Sequence, residues 1–404
     1  MNPDTSTALS TVTLKAKRDQ SIRRKHPWVF SGGIKHVQGD PQSGDWVKVC
    51  ANKGGILGWG HYAPNASIAV RMLTFDENCP DGPWWHAQIA QAVSVRRDLG
   101  LFQTDTQNAC RLVHAEGDGL PGLIADLYNG VLVMQCHTPG MHRAMPILIE
   151  AFREALGDIL VGIYDKSAKT LLKNGGEASE DGWVWGGAPA QHFATEHGHR
   201  FDIDWERGQK TGFFLDQREN RALLGALSKG KKVLNVFSYT GGFSIYAMKA
   251  GATEVHSLDS SQRALEVCEE NVRLNDLPEK QHKSIQADAL EYLKTDDLGD
   301  YDIVVLDPPA FAKRASARHA AVQGYKRINL RALEGMKPGS LLFTFSCSQA
   351  VDDALFANTI VAAAIQAGRT VRILHRLHQP PDHPVNVFHP EGSYLKGLVV
   401  RIDD

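Results

Sequence analysis

Two short strings stand out for the chemistry they could do: Asp307-Pro308-Pro309-Ala310-Phe311 and Ser346-Cys347-Ser348. Asp307 closes the apolar run DIVVL and Cys347 closes SLLFTF, so each is expected just past the end of a strand. Two prolines after an aspartate exclude helix and fix where the carboxylate and the neighbouring carbonyls point, a rigidity that a plain turn rarely needs. The chain has six cysteines, Cys50, Cys79, Cys110, Cys136, Cys268 and Cys347, far apart and without a CxxC pair. Reduced thiols are therefore expected, most of them small buried hydrophobes. Only Cys347 falls where a sheet would present a nucleophile. A third string, FSYTGGFS, places Thr240, Gly241 and Gly242 after the apolar run VLNVF, where backbone amides could approach a ligand before a helix begins. Asp259 follows at about the 20-residue spacing at which nucleotide-binding sheets set a carboxylate on ribose hydroxyls. Asp288 ends a further run and could accept from an adenine amino group or simply cap the helix that starts at ALEYL.

These residues share an edge only if the elements between them alternate strand and helix. From about residue 200 they do: strands are predicted at 233–237, 254–259, 283–288, 302–307 and 340–346, with helices such as SSQRALEVCEENVRLND between them. In an open parallel sheet all the carboxyl ends face one crevice, which is where ligands bind. Upstream, residues 1–80 read as short strands punctuated by Gly, Pro and Asn, a small β-rich module. Residues 81–196 read as a small α+β domain opened by the helical WWHAQIAQAVSVRRDLG, leaving 197–404 for the alternating region.

At 404 residues, with 43% hydrophobic and 22% charged side chains, several self-sufficient cores are expected. No apolar run approaches the roughly 18 residues of a membrane span, and the N-terminus lacks a signal-peptide core, so a cytoplasmic protein is expected. A net charge of −2 does not advertise a nucleic-acid partner. The segment around Arg23, Arg24 and Lys25 is nonetheless strongly basic, and reads either as a phosphate-binding patch or as a solvated face. His375, His378, His383 and His389 lack metal-ligand spacing, so no metal is expected. The small β module could serve self-association, a homodimer, as readily as RNA contact.

The combination resembles the class I S-adenosylmethionine (SAM)-dependent methyltransferases. More closely, the chain is similar to the bacterial large-subunit ribosomal RNA cytosine-5 methyltransferases with an N-terminal PUA domain. RRKHPWVFSGGI, DGLPGLIADLY, QKTGFFLDQRENR and the pair LDPPAFAK and FSCS carry the likeness, spread across all three regions. The fold class implied is α/β: a Rossmann-like class I methyltransferase sheet, a β-rich PUA domain and a central α+β domain. The resemblance also implies SAM as cofactor, with Phe214, Asp216, Asn235, Phe237, Asp259 and Asp288 lining its pocket beside Thr240, Gly241, Gly242 and Asp307, and ribosomal RNA as partner.

For cytosine C5, a poor nucleophile, the implied route is addition of the Cys347 thiolate to C6, with Asp307 assisting at N3. Lys313 and Arg314 would supply positive charge near the thiol. Pro308, Pro309, Phe311, Lys313, Arg23, Arg24 and Lys25 would contact RNA, Phe311 either stacking on the base or packing in the core. Two rivals stay open: an exocyclic N-methyltransferase acting on guanine or adenine, which needs no thiol, and a non-catalytic SAM-binding assembly protein. A nucleotide-linked oxidoreductase is disfavoured because FSYTGGF lacks the GxGxxG fingerprint.

Overall fold

The computed structural model describes residues 10–189, 193–295, 298–312 and 314–404. It divides into two compact units: Met1–Ala194 with Ile203–Phe213 and Pro381–Gly392, and Thr195–Asp202 with Phe214–Pro380 and Ser393–Asp404.

The first unit opens with a six-stranded sheet of β1 (Thr11–Leu14), β2 (Trp28–Phe30), β3 (Ile34–Gln38), β4 (Trp46–Cys50), β5 (Ile56–Tyr62) and β6 (Ile68–Thr74), in the order β2-β6-β5-β4-β1-β3, with a one-turn helix α1 (Gln20–Arg23). Alternating burial in β1 and β4 puts Val12, Leu14, Val47 and Val49 on the inner face beside Val70 and Met72, the period-2 signature of a half-buried sheet. Next come α2 (Gly82–Asp98), β7 (Ala109–His114), β8 (Leu123–Tyr128), β9 (Val131–Cys136), α3 (Pro139–Arg143), α4 (Met145–Leu156), β10 (Gly162–Asp165), α5 (Ala168–Lys173) and β11 (Gly182–Gly186). Their sheet runs β11-β10-β9-β8-β7. The β8–β9 hairpin turns on Asn129 and Gly130, both at positive φ as a tight right-twisted hairpin requires. Buried Arg96 of α2 donates to Asp118 at 2.8 Å and to the Asp382 carbonyl at 2.8 Å, and Asp382 accepts from the Arg111 amide. Pro381–Gly392 is thereby tied into this unit.

The second unit is built on seven strands: β14 (Lys232–Val236), β15 (Glu254–Asp259), β16 (His282–Gln286), β17 (Ile303–Leu306), β18 (Leu341–Ser346), β19 (Val371–Leu377) and β20 (Lys396–Ile402). They follow a separate pair, β12 (Phe193–Glu196) and β13 (His199–Asp202), and lie in the order β16-β15-β14-β17-β18-β20-β19. The first five strands in that order are parallel; β20 inserts antiparallel between β18 and β19. Helices α6 (Arg218–Leu227), α7 (Gly242–Lys249), α8 (Gln262–Leu274), α9 (Ala289–Thr295), α10 (Arg318–Gly335) and α11 (Asp353–Ala367) accompany the sheet. Near-continuous burial in β14, β17 and β18 is what a sheet covered on both faces demands. Val236, Val304, Leu306 and Leu342 pack with Tyr325, Leu333 and Phe356 in its core. The α/β class and the five parallel strands agree with the sequence reading to within about two residues at each end; Ser261 caps α8 as its hydroxyl accepts from the Ala264 amide. Among the described residues no helix is long and apolar enough to cross a membrane.

Candidate active site

The strand order reverses between β14 and β17, because β14 is followed in sequence by β15 on one side while β17 lies on the other. That is the point where an open sheet forms a ligand crevice. The loops leaving these two strands carry the FSYTGGFS and DPPAF strings.

After β14 the backbone takes an unusual path: Phe237 (φ 61°), Tyr239 (φ 47°) and Gly241 (φ 79°) are all left-handed. For Phe and Tyr this is strained geometry of the kind that collects at ligand sites. One Asp259 oxygen helps hold it by accepting from the Tyr239 amide, while the other accepts from the Ser261 amide at the start of α8, each at 2.9 Å. Asn271 pins the Thr240 carbonyl at 2.9 Å. A Cβ on Gly241 would stand 2.2 Å from the Cys268 sulfur, so the close approach of α8 leaves no side chain there. At the end of β14 and in the loop after it, Asn235 Oδ1, Ser238 Oγ and Thr240 Oγ1 are buried with no hydrogen-bond partner among the described residues. Buried polar atoms are rarely left so, and three at one strand end fit a polar ligand such as SAM.

The QKTGFFLDQRENR string lies beside this loop. The Phe214 and Tyr239 rings meet edge to face at 5.2 Å. Arg221, buried and paired with Glu196 at 2.7 Å, also donates to the Phe214 carbonyl at 2.9 Å. Asp216 accepts from the Tyr394 hydroxyl at 2.6 Å. Phe214, Asn235, Phe237, Thr240, Gly241, Gly242 and Asp259 thus lie at or beside the end of β14 through these contacts and their position in the chain, whereas Asp216 bonds to Tyr394, just ahead of β20. Exposed Asp288 accepts from the Glu291 amide at 3.0 Å, the helix-cap geometry that was the alternative for it.

On the other side of the switch point, β17 and β18 bring the remaining strings together. The Cys347 thiol points to the Pro308 carbonyl, 4.0 Å away. Asp307 is half-buried, Pro308 buried and Pro309 exposed. Ser348 braces the turn, bonding the Ala312 amide at 3.2 Å and the Tyr325 hydroxyl at 2.8 Å. The Phe311 ring packs on Tyr325, with centroids 4.7 Å apart. Cys347 is half-buried, whereas burial pushes the Cys268 thiol up to about 12 and raises Cys136 as well. Cys110 is wholly buried, and burial also raises Cys50 and Cys79. Lys313 lies outside the described residues, and Arg314 is exposed.

Sequence reading missed the cation that the fold brings to this place. Lys396 heads the antiparallel strand β20, opposite Ser346 of β18. It is 2% exposed, and its ammonium donates to the carbonyls of Ser348 (2.9 Å) and Tyr394 (2.6 Å). Burial lowers its pKa, while Asp353, Cys347 and Asp352, in that order, pull it back up. The available signal was a lysine opening a strand, KGLVVRI, whose next four residues are apolar or glycine.

Of the basic patch, Arg23 is tied to Asp19 at 2.8 Å, Arg24 is exposed, and the Lys25 ammonium lies 5.8 Å from the Phe388 ring centre.

Comparison with known proteins agrees with this geometry. Residues 110–401 match the S-adenosylmethionine-dependent methyltransferase family model, and residues 12–75 match a PUA-like domain. Proteins named ribosomal RNA large subunit methyltransferase I are 41% identical in Shewanella denitrificans and 38% identical in Alteromonas mediterranea, each alignment covering 97% of this chain and 99% of the relative. A solved Streptococcus mutans chain described as a SAM-dependent methyltransferase superposes with a TM-score of 0.83 at 21% identity, over 97% of this chain and 99% of its own, a likeness of fold. The chain therefore belongs to the S-adenosylmethionine-dependent methyltransferases, in the ribosomal RNA large subunit methyltransferase I family, and carries a PUA-like domain at its N-terminus.

Proposed function

We propose that this protein methylates carbon 5 of a cytosine in large-subunit ribosomal RNA through a transient Cys347 adduct. The observation that carries the reading is the approach of the Cys347 thiol to the Asp307-Pro308 turn, the sole one of six cysteines placed there. The relatives' names support ribosomal RNA as the substrate.

Phe214, Asp216, Asn235, Phe237, Thr240, Gly241, Gly242 and Asp259 would hold SAM, the orphaned oxygens of Asn235, Ser238 and Thr240 gaining partners on it. When bound, SAM supplies an electrophilic methyl group on a sulfonium. Cys347, as thiolate, adds its sulfur to C6 of the ring, and the C5–C6 π electrons become available at C5. Asp307 faces N3 as a proton donor, offsetting the negative charge the ring gains during attack. C5 forms its new bond to the methyl carbon as the carbon–sulfonium bond breaks and leaves its electron pair on the sulfur; N3 returns the proton it was given, and C5 then loses its own proton to a base. The electron pair left behind restores the C5–C6 double bond and expels the thiolate. The nearby Lys396 ammonium favours the thiolate, the task first given to Lys313 and Arg314. Pro308, Pro309 and Phe311 shape the base side of the crevice. Arg23, Arg24 and Lys25 meet RNA phosphates, and the reaction runs in the cytoplasm. The target base must be unpaired or flipped to enter.

The test is incubation with labelled SAM and ribosomal RNA from cells lacking the protein, with methylated nucleosides mapped by mass spectrometry. Label in 5-methylcytosine at one position is expected, with Cys347→Ala inactive while binding SAM within a few-fold of wild type. Label in a guanine or adenine exocyclic amine, or normal turnover by the alanine variant, would discard the covalent route.

A further inference from the structure

Away from the methyltransferase sheet, the first unit carries an open cavity of about 450 Å³ between the β5–β6 hairpin, the start of α3 and the end of α5. This volume lies within the range of small-ligand pockets, about 300–1,000 Å³. Its lining includes Arg71 and Lys173 and contains no Asp or Glu. Among the described residues neither the Arg71 guanidinium nor the Lys173 ammonium has a hydrogen-bond or ion-pair partner, and Arg71 is half-buried. A half-buried guanidinium whose N–H groups are not taken up by protein acceptors can present them to an anionic ligand. Glu116, the acid whose field reaches Arg71, accepts from the Trp28 indole N–H at 2.8 Å. His61, which also lines the cavity, adds no charge, because burial lowers its pKa to about 3.

The remaining lining suits a nucleoside. Tyr62 and Pro139 offer flat apolar faces, and Asn65 offers an exposed amide. Asn174 donates its N–H to the His137 carbonyl at 2.9 Å, leaving its oxygen to accept. Arg71 is the cross-strand partner of Trp28, three residues past Lys25, so the cavity adjoins the basic segment.

We infer that this cavity holds one phosphate-bearing nucleotide of a single-stranded stretch of the substrate RNA, its phosphate on Arg71 and Lys173 and its base against Tyr62. The inference rests on the reading of an RNA substrate given above. It makes the first unit a second point of attachment for the strand whose cytosine reacts elsewhere.

The experiment uses the full chain and a fluorescein-labelled single-stranded RNA, with binding followed by anisotropy across a salt series. Arg71→Gln is expected to weaken binding roughly tenfold and to make the salt slope shallower by about one, the signature of a lost phosphate contact. Lys173→Gln, at an exposed side chain that cannot unfold the chain, is expected to weaken binding by roughly three- to fivefold. Both variants should bind SAM as wild type does. Photocrosslinks from 4-thiouridine in the RNA should fall on the Tyr62–Ile68 segment. Wild-type affinity in Lys173→Gln together with crosslinks confined to the methyltransferase unit would overturn the inference alone. A wild-type protein with no affinity for RNA would overturn the substrate reading, and the cavity's occupant with it.

Discussion

Cys347 and Lys396 show how a local choice of side chain sets reactivity. A thiol at an ordinary pKa is a few per cent ionised at neutral pH, and a buried ammonium nearby enlarges that fraction. Among the described residues no carboxylate lies within hydrogen-bonding distance of Lys396; its two bonds go to main-chain carbonyls, and Asp353 and Asp352 reach it only through their field. Lys396→Met should therefore lower methylation roughly tenfold at neutral pH and move the rising limb of kcat/KM upward by about one pH unit, with SAM affinity unchanged. A variant that slowed the reaction without moving the limb would mark Lys396 as a packing residue. Asp288 teaches the opposite lesson, since its carboxylate already serves the Glu291 amide. If helix capping is its whole task, Asp288→Asn will keep SAM affinity within about twofold, because asparagine caps as well as aspartate. A tenfold loss would place it in the cofactor pocket.

Among elements, the β14–α7 turn carries the heaviest constraints. Its path needs a residue at φ 79° with no side chain at position 241, because α8 presents Cys268 there. Gly241→Ala should destabilise the second unit by about 2–4 kcal/mol, combining left-handed strain with overpacking. Cys268→Ala in the same chain should recover about 1–2 kcal/mol of that by removing the sulfur, a coupling that urea unfolding of the single and double variants would read. Additive effects would mean that the clash is relieved elsewhere. The glycine pair was legible in FSYTGGFS. That Phe237 and Tyr239 also adopt positive φ was not, since neither residue type favours it.

At the level of the whole molecule, several buried or half-buried histidines are held in the neutral form. Burial lowers His61 to about 3, and His137 and His282 to about 4, all from 6.5. Below 6.5 the unfolded chain takes up protons at these sites and the folded chain does not. Stability is therefore complete above that value and declines as pH falls toward 4. Between about pH 7 and about pH 5 each histidine should remove up to about 2 kcal/mol. Urea midpoints should fall accordingly in both units, with a smaller change in His61→Gln; a pH-independent midpoint would contradict the buried neutral assignment.

The parallel strands and the strand-end positions of Asp259, Asp307 and Cys347 followed from the sequence, because period, turn chemistry and apolar runs are local properties. The tertiary structure alone decided that β20 enters antiparallel beside β18, setting Lys396 opposite Ser346 across 50 residues of chain. It alone joined Glu196 to Arg221 beneath Phe214, and brought Arg71 and Lys173 to one cavity free of acid. Strand pairing and ion pairing are contacts between distant segments, and no window of sequence contains both partners. The electrostatics of the site therefore belong to the fold.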